Sequence, residues 1–503
     1  MKIRVVSIMV LILCVAYTLF AALPQPYGAL PSERQLRWHE TETFSLIHYS
    51  LNTYTDREWG YGEEDPALFN PQGLDANQVI QALKRGGMNG VILVAKHHDG
   101  FCLWPTASTT HNISKSPWRG GKGDLVREYA DAAKKHKLKF GVYCSPWDRN
   151  SAAYGTPAYL TIYHTQLREL LSRYGTLFEV WFDGANGGDG YYGGAREKRG
   201  IDRFTYYDWP QTWGIVRALQ PIACIFGDIG PDCRWVGNEK GYAAEESWAT
   251  FTPKGKTDPQ RPANGDSMNH MEAPAGHRDG KAWIPAECDV PLRKGWFWHP
   301  DEDATVRTPQ KLMEIYFHSV GKGGCMNLGV APDRNGRVCD ADVRALDAFG
   351  NLLRTLFAVN FANQSVVEAS NIREWQPEPE KENPYAAANA IDGNRYTYWA
   401  TDDNVTNATL TLTLPKVAEF DVVRLRENIQ LGQRVDGFVV EVWQDKTWAS
   451  FASGQSIGAC RLLRGKKVQS DRVRLRITSA AACPCISDFS LFAMPSALET
   501  ATP

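Results

Sequence analysis

Five apolar stretches in the first half of the chain, each running straight into polar residues, constrain the fold more than any other feature. They span 44–49, 90–95, 138–144, 177–183 and 222–226. Helical patterns lie between them at 75–85, 125–136, 160–174 and 207–219. The first helix carries Val79, Ile80 and Leu83 on one side, and Asp124 marks the start of the second. Four strand–helix units in a row predict a parallel sheet with helices outside it. The polar residues that end the strands are His48, His97 and His98, the stretch 143–148, and Asp183. In a (β/α)8 barrel such residues converge on the carboxyl-terminal rim, where chemistry is placed. A doubly wound open sheet is the alternative. It would carry a phosphate-binding glycine fingerprint after an early strand, and none is present. The pattern fails from about 230 to 282, a polar stretch rich in Gly, Pro, Asn and Asp. That stretch holds long functional loops or hides a strand. Order returns at 282–287, followed by a helix over 308–320, a closing strand over 324–330 and a last helix over 341–357.

From about Val366 the chain changes character. Short alternating strands at 409–414, 421–425, 437–443 and 472–477 follow one another with no helix-length pattern between them. This predicts an all-β sandwich after the α/β barrel. The expected division is a signal peptide over 1–22, a catalytic barrel over 23–360 and a sandwich over 361–503. The sandwich is complete in its own strands, so it is expected to fold separately and leave the chemistry to the barrel. Lys2 and Arg4 precede an apolar run that ends in Ala21-Ala22, the layout of a secretory signal peptide. A retained membrane anchor is the rival reading, and no other stretch could span a bilayer. The protein is therefore expected to be exported, to a periplasm or outside the cell. Ten cysteines remain after the signal; export permits disulfides, but their pairing is not legible. With 55 basic and 57 acidic residues the chain has no electrostatic footprint for nucleic acid and no polybasic membrane patch.

The stretch 177–183 carries the strongest chemical signal. Alternation along a strand puts Glu179, Trp181 and Asp183 on one face, with Asp183 at the end and Gly184 after it. Asp183 either caps its loop or serves as one of the two carboxylates that glycoside hydrolysis requires. Candidates for the partner acid are Glu239, Glu245, Glu246 and Glu287. Glu239 stands out because aromatic and glycine neighbours suit an acid kept protonated by an apolar pocket. His97 and His98 invite a metal reading. Adjacent histidines point to opposite faces of an extended chain, however, and further ligands would be needed. Neutral hydrogen bonding to a polyol suits them better. The 17 tryptophans offer flat faces for sugar rings but equally fill cores.

These residues carry a resemblance. The region from about Leu36 to Phe357 resembles the α-L-fucosidases of glycoside hydrolase family 29. The matching stretches are Phe44 to Tyr49, Asn52-Thr53, Glu58-Trp59-Gly60, Lys96-His97-His98-Asp99-Gly100-Phe101, Tyr143 with Ser145-Pro146-Trp147-Asp148, Val180-Trp181-Phe182-Asp183-Gly184, Asn327-Leu328, and Ala331-Pro332-Asp333. The resemblance implies that Asp183 is the catalytic nucleophile; the acid/base position varies across the family, and Glu239 is the choice for it ahead of Glu246 and Glu287. It implies that His48, Trp59, His97 and His98 hold the fucose, with Glu58, Tyr143, Glu287 and Trp298 completing the substrate-binding set. Residues 235–239 and 283–298 resemble the branch that prefers α-1,3/1,4-linked fucose. The sandwich resembles discoidin-like, galactose-binding-like modules through Ala390-Ile391-Asp392-Gly393 and Thr397-Tyr398-Trp399-Ala400. The implied protein is a retaining fucosidase acting on fucosylated oligosaccharides, with no cofactor and no metal. The rivals are a metal-dependent hydrolase using His97 and His98, and a non-catalytic glycan-binding protein.

Overall fold

The computed structural model describes residues 23–265, 272–375 and 382–496; the expected signal peptide, 1–22, lies outside the described residues. Eight parallel strands close into a barrel: β1 (Thr43–Ile47), β2 (Gly90–Lys96), β3 (Lys139–Cys144), β4 (Glu179–Trp181), β5 (Cys224–Gly227), β6 (Cys233–Trp235), β7 (Ala286–Pro291) and β8 (Cys325–Val330). Each pairs with its sequence neighbours, and β8 closes on β1 with Thr43 opposite Met326. Helices follow six of the strands: Ala76–Arg85, Leu125–His136, Ala158–Arg173, Trp209–Leu219, Pro309–His318 and Asp340–Leu356. Side chains cap four of the six starts. Asp75, Asp124, Asp208 and Thr308 each accept a hydrogen bond from a backbone N–H in the first turn.

The stretch from 230 to 282 hid a strand. β6 is only three residues long, and its middle residue is an arginine. Arg234 is fully buried and donates to the carbonyls of Ala273, Ile284 and Trp248, so a charge that reads as surface lies inside the fold. Residues 228–232 alone join β5 to β6. The long connection from β6 to β7 carries a two-stranded ribbon, Thr250–Phe251 with Ala282–Trp283. Among the described residues neither connection holds a helix.

Alternate residues of the strands fill the barrel: Phe44, Leu46, Ile92, Val94, Tyr143, Trp181, Cys224, Phe226, Cys233 and Cys325 pack with Trp38. Trp38, from the helix Glu33–His39, enters this core and donates from Nε1 to Glu179 Oε2 at 3.0 Å.

The second unit is antiparallel throughout. Its backbone is two 20-residue strands, Ala408–Glu427 and Arg461–Ala480, paired along their length with register shifts at 413/418 and 420/422. The strands Trp399–Ala400, Cys485–Phe492, Val435–Gln444 and Thr447–Gly454 extend the sheet, and Val366–Ala369 pairs with Ala408–Glu427. The inward-facing leucines, valines and phenylalanines form a core of their own.

The two units share more than a linker. Glu42, immediately before β1, is held by Arg395 and by Arg426, both from the sandwich. Arg461, 1 % exposed, bonds Glu245 and Glu246 of the β6–β7 connection. Val422, Cys460, Leu462, Phe492 and Met494 of the sandwich belong to the same buried apolar cluster as the barrel helices. The expected independence of the sandwich is therefore not what the packing shows: apolar surface runs continuously from one unit into the other. Glu42, held by Arg395, and Lys322, bridged to Arg461, lie just before the first and last barrel strands, so the sandwich sits towards the amino-terminal end of the barrel, away from Asp183.

Candidate active site

Asp183 emerges two residues after β4, at the carboxyl end of the barrel. Its side chain is about a quarter exposed. Tyr143, from β3, donates its hydroxyl to Asp183 Oδ2 at 3.1 Å, and the Ala185 N–H donates to Oδ1 at 2.6 Å. His98 faces the same carboxylate, with Nε2 3.9 Å from Oδ2, while its Nδ1 lies 2.8 Å from Ser145 Oγ. A Cβ on Gly184 would lie 2.0 Å from Asp228 Oδ2, so any larger residue there has to displace the Asp228 carboxylate.

The histidines group tightly beside it. The His97 and His98 rings are 4.1 Å apart, and His48 lies 5.7 Å from His97. All three are buried. Burial pushes His48 down to about 3 and His98 down to about 4, and it holds His97 well below the usual histidine range. At neutral pH they are therefore uncharged donors and acceptors, suited to sugar hydroxyls. Among the described residues, His48 Nδ1 has no hydrogen-bond partner. Asn52 Nδ2 reaches His97 Nδ1 at 3.4 Å.

Aromatic residues wall the cluster. Trp59, 51 % exposed, sets its ring edge-on to His98 at 4.9 Å and to Trp147 at 5.6 Å. Trp296 and Phe297 each lie 5.2 Å from the His48 ring. Glu58 fastens the loop that carries them: it accepts from the backbone N–H groups of Trp296 and Phe297, and His299 Nε2 lies 2.8 Å from it. Gly295 lets the loop approach this closely, since a Cβ there would fall 2.3 Å from Glu58 Oε1. Glu58, expected to bind substrate, is placed by the fold as the anchor of this wall.

The four acid candidates separate cleanly. Glu239 accepts from Trp296 Nε1 at 3.2 Å. Burial pushes its carboxyl up; the Trp296 N–H opposes this, and the negative charges of Asp183 and Glu58 push it further up. Glu245 and Glu246 are taken up by Arg461 at the sandwich interface. Glu287 is fully buried inside the barrel, where it accepts from Trp181 Nε1 at 2.9 Å, and does not join the rim. Of the four, Glu239 is the one beside the aromatic wall and within electrostatic reach of Asp183.

The sequence assigns a substrate role to Trp298 and none to Trp296, Phe297 or Trp147, although all three lie in stretches that carry the resemblance. Trp298 packs against Arg334, whose guanidinium lies 5.9 Å from its ring. Residues two apart in an extended segment share a face, so nothing in the sequence separated Trp296 from Trp298. Trp147 lies in the stretch 145–148 that carries the resemblance, which was the available signal, and its ring lies 5.4 Å from that of His98. Among the described residues, three metal-ligating side chains come together at Glu179, Cys233 and Glu287; His97 and His98 belong to no such group.

With this geometry in place, comparison with known proteins gives a consistent answer. The α-L-fucosidase family model matches residues 20–356, and the model of the NedA-like galactose-binding domain matches 389–475. The chain is 38 % identical over 474 residues to a putative α-L-fucosidase 1 of Oryza sativa subsp. japonica, covering 93 % of this chain and 86 % of that protein. It superposes on the crystal structure of a putative α-L-fucosidase from Bacteroides thetaiotaomicron with a TM-score of 0.83 at 34 % identity, covering 94 % of this chain and 99 % of that one. A Ruminococcus gnavus family 29 fucosidase solved in complex with fucose gives a TM-score of 0.84 at 29 % identity, covering 95 % of this chain and 97 % of that one. The chain is thus a glycosidase that belongs to the α-L-fucosidases of glycoside hydrolase family 29, with a galactose-binding-like domain after its barrel.

Proposed function

We propose that the protein is an exported, retaining α-L-fucosidase that removes terminal α-1,3/1,4-linked fucose from branched glycans. The observation that carries the mechanism is the unlike setting of two carboxylates on one rim. Asp183 takes two donors, from Tyr143 and Ala185, which fix the direction in which its carboxylate faces the rim. Glu239 is pushed up by burial, which favours the protonated form a leaving oxygen needs. Asp183 attacks the anomeric carbon while Glu239 protonates the departing oxygen. Glu239 then takes a proton from water, which opens the fucosyl-enzyme ester. Inversion at each of the two steps returns the α-anomer. Uncharged His48, His97 and His98 supply hydrogen bonds to the fucose hydroxyls, and Trp59 supplies an apolar face. The linkage preference is supported by the aromatic wall at Trp296 beside Glu239, in the stretch that resembles the α-1,3/1,4 branch. Export is supported by the apolar run that ends at Ala22. The test follows the anomer released first from an aryl fucoside by proton NMR, and compares turnover on that substrate with turnover on a branched fucosylated oligosaccharide. α-L-Fucose first, with faster cleavage of the branched glycan, supports the reading. β-L-Fucose first contradicts the two-step mechanism. Amino-terminal sequencing of protein recovered outside the cytoplasm is expected to begin near residue 23.

A further inference from the structure

Below the rim, the barrel interior holds a polar cluster that the chemistry above does not use. Glu179 on β4, Cys233 on β6 and Glu287 on β7 are each 0 % exposed. Glu287 Oε1 accepts from Trp181 Nε1 at 2.9 Å and from Asn327 Nδ2 at 2.8 Å. The Cys233 thiol lies 3.8 Å from Glu287 Oε2 and 3.7 Å from Glu179 Oε1, and Trp38 donates to Glu179 Oε2. Burial raises both carboxyls; the charge of Glu287 raises Glu179 further, so that Glu179 keeps its proton and donates it to Glu287. Three ligand-type side chains within 4.8 Å of one another have the spacing of a metal site. Yet N–H groups serve Glu287 Oε1 and Glu179 Oε2, and the Glu179 proton and the one Cys233 S–H proton lie among the other two oxygens, so hydrogen bonding alone accounts for the cluster.

A buried ionised carboxylate is poor packing material, and apolar residues of the same volume generally serve stability as well or better. What this one does is fix the direction of a single indole. The Trp181 ring lies stacked between Phe226, at 4.0 Å and 4°, and Tyr143, at 5.0 Å and 26°. Tyr143 in turn donates to Asp183. A line of contacts thus runs from the acid pair through Trp181 and Tyr143 to the carboxylate on the rim.

We propose that Glu287 and Glu179 are positioning residues for the nucleophile: they anchor the Trp181 indole, which sets the plane on which Tyr143 rests and so the direction from which Tyr143 donates to Asp183. The proposal rests on the reading of Asp183 as the nucleophile. Two full-length variants test it. Glu287→Gln keeps the shape and removes the charge that the indole points at. Trp181→Phe keeps an aromatic face and removes the N–H, leaving the acid pair in place. Active sites are counted by the burst from a slow fluorinated fucoside, and kcat per counted site, Ki for L-fucose and Tm are measured. Both variants are expected to lose about tenfold or more in kcat per site, while Ki for fucose changes less than about threefold, because the residues that grip the sugar are untouched. A merely structural role lowers Tm or the fraction of countable sites but leaves kcat per site at the wild-type value, and that result overturns the proposal. If Glu287→Gln does not fold, Trp181→Phe decides alone. A wild-type label on a carboxylate other than Asp183 overturns the reading beneath the proposal. A wild-type label on Asp183 with unchanged kcat per site overturns the proposal alone.

Discussion

The Tyr143 hydroxyl donates to Asp183 Oδ2 across 3.1 Å, from the strand next to the one that carries the aspartate. Strand pairing places Tyr143 opposite Trp181, so the tyrosine reaches the carboxylate two residues further on. Tyr143→Phe keeps the stacked ring and removes the donor. A hydrogen bond to a charged group contributes about 1.5–3 kcal/mol, so kcat is expected to fall by roughly 10- to 100-fold. KM should change less than kcat, because His48, Trp59, His97 and His98 stay in place. Steady-state kinetics on an aryl fucoside check this; an unchanged kcat would show that the bond has no part in orienting Asp183.

Glu239 and Glu246 are seven residues apart in sequence and sit in different places. Glu239→Ala is expected to slow substrates with poor leaving groups far more than activated aryl fucosides, since only the former need a proton. Azide should restore turnover of the activated substrate. Glu246→Ala removes a partner of Arg461 and Ser456, so it should lower Tm and leave the leaving-group dependence as in the wild type. Azide rescue in Glu246→Ala and not in Glu239→Ala would reverse the assignment.

The indole of Trp296 gives a pH prediction with a definite sign. Glu239 must be protonated to act, so activity falls as pH rises through its pKa. The Trp296 N–H favours the ionised form and works against the upward push of burial. Trp296→Phe removes that opposition. The alkaline limb of kcat/KM should therefore move to higher pH by about half a unit to one unit, the equivalent of one ordinary hydrogen bond. A limb that stays put or moves down would show that Trp296 does not bond Glu239 in the working enzyme.

Much of this architecture was legible in the chain because strand ends and helix caps carry local signals. The run 177–183 announces a buried strand ending in a carboxylate, and Asp75 and Asp124 announce helices. What failed to show were features set by distant contacts. β6 carries Arg234, whose charge is satisfied by carbonyls 14 to 50 residues away, so its sequence reads as loop. Glu287 lies near the start of β7, one residue after Ala286, and so points into the barrel below the rim. Without knowing where that strand begins, the sequence could not distinguish floor from rim. Glu245 and Glu246 look like rim acids until the sandwich arginine that claims them is in place.

The shared core bears on truncation. A chain ending near Asn360 would strip Leu462, Phe492 and Met494 from the barrel helices and expose Phe357, whose ring is 5.0 Å from Phe492. Each large apolar side chain returned to water costs about 1.5–3 kcal/mol, against a typical total stability of about 5–15 kcal/mol. The truncated barrel is expected to be insoluble or to lose on the order of 10 °C or more in Tm. Circular dichroism and light scattering check this. A soluble barrel with wild-type Tm would show that the interface contributes little.

The assignment of Asp183 as nucleophile is tested most directly by trapping. Incubation with a slow fluorinated fucoside, proteolysis and peptide mass spectrometry should find one fucosyl adduct, on Asp183. Asp183→Asn should give no adduct and lower turnover by about 10³-fold or more. An adduct on any other carboxylate, or its persistence in Asp183→Asn, would contradict the account.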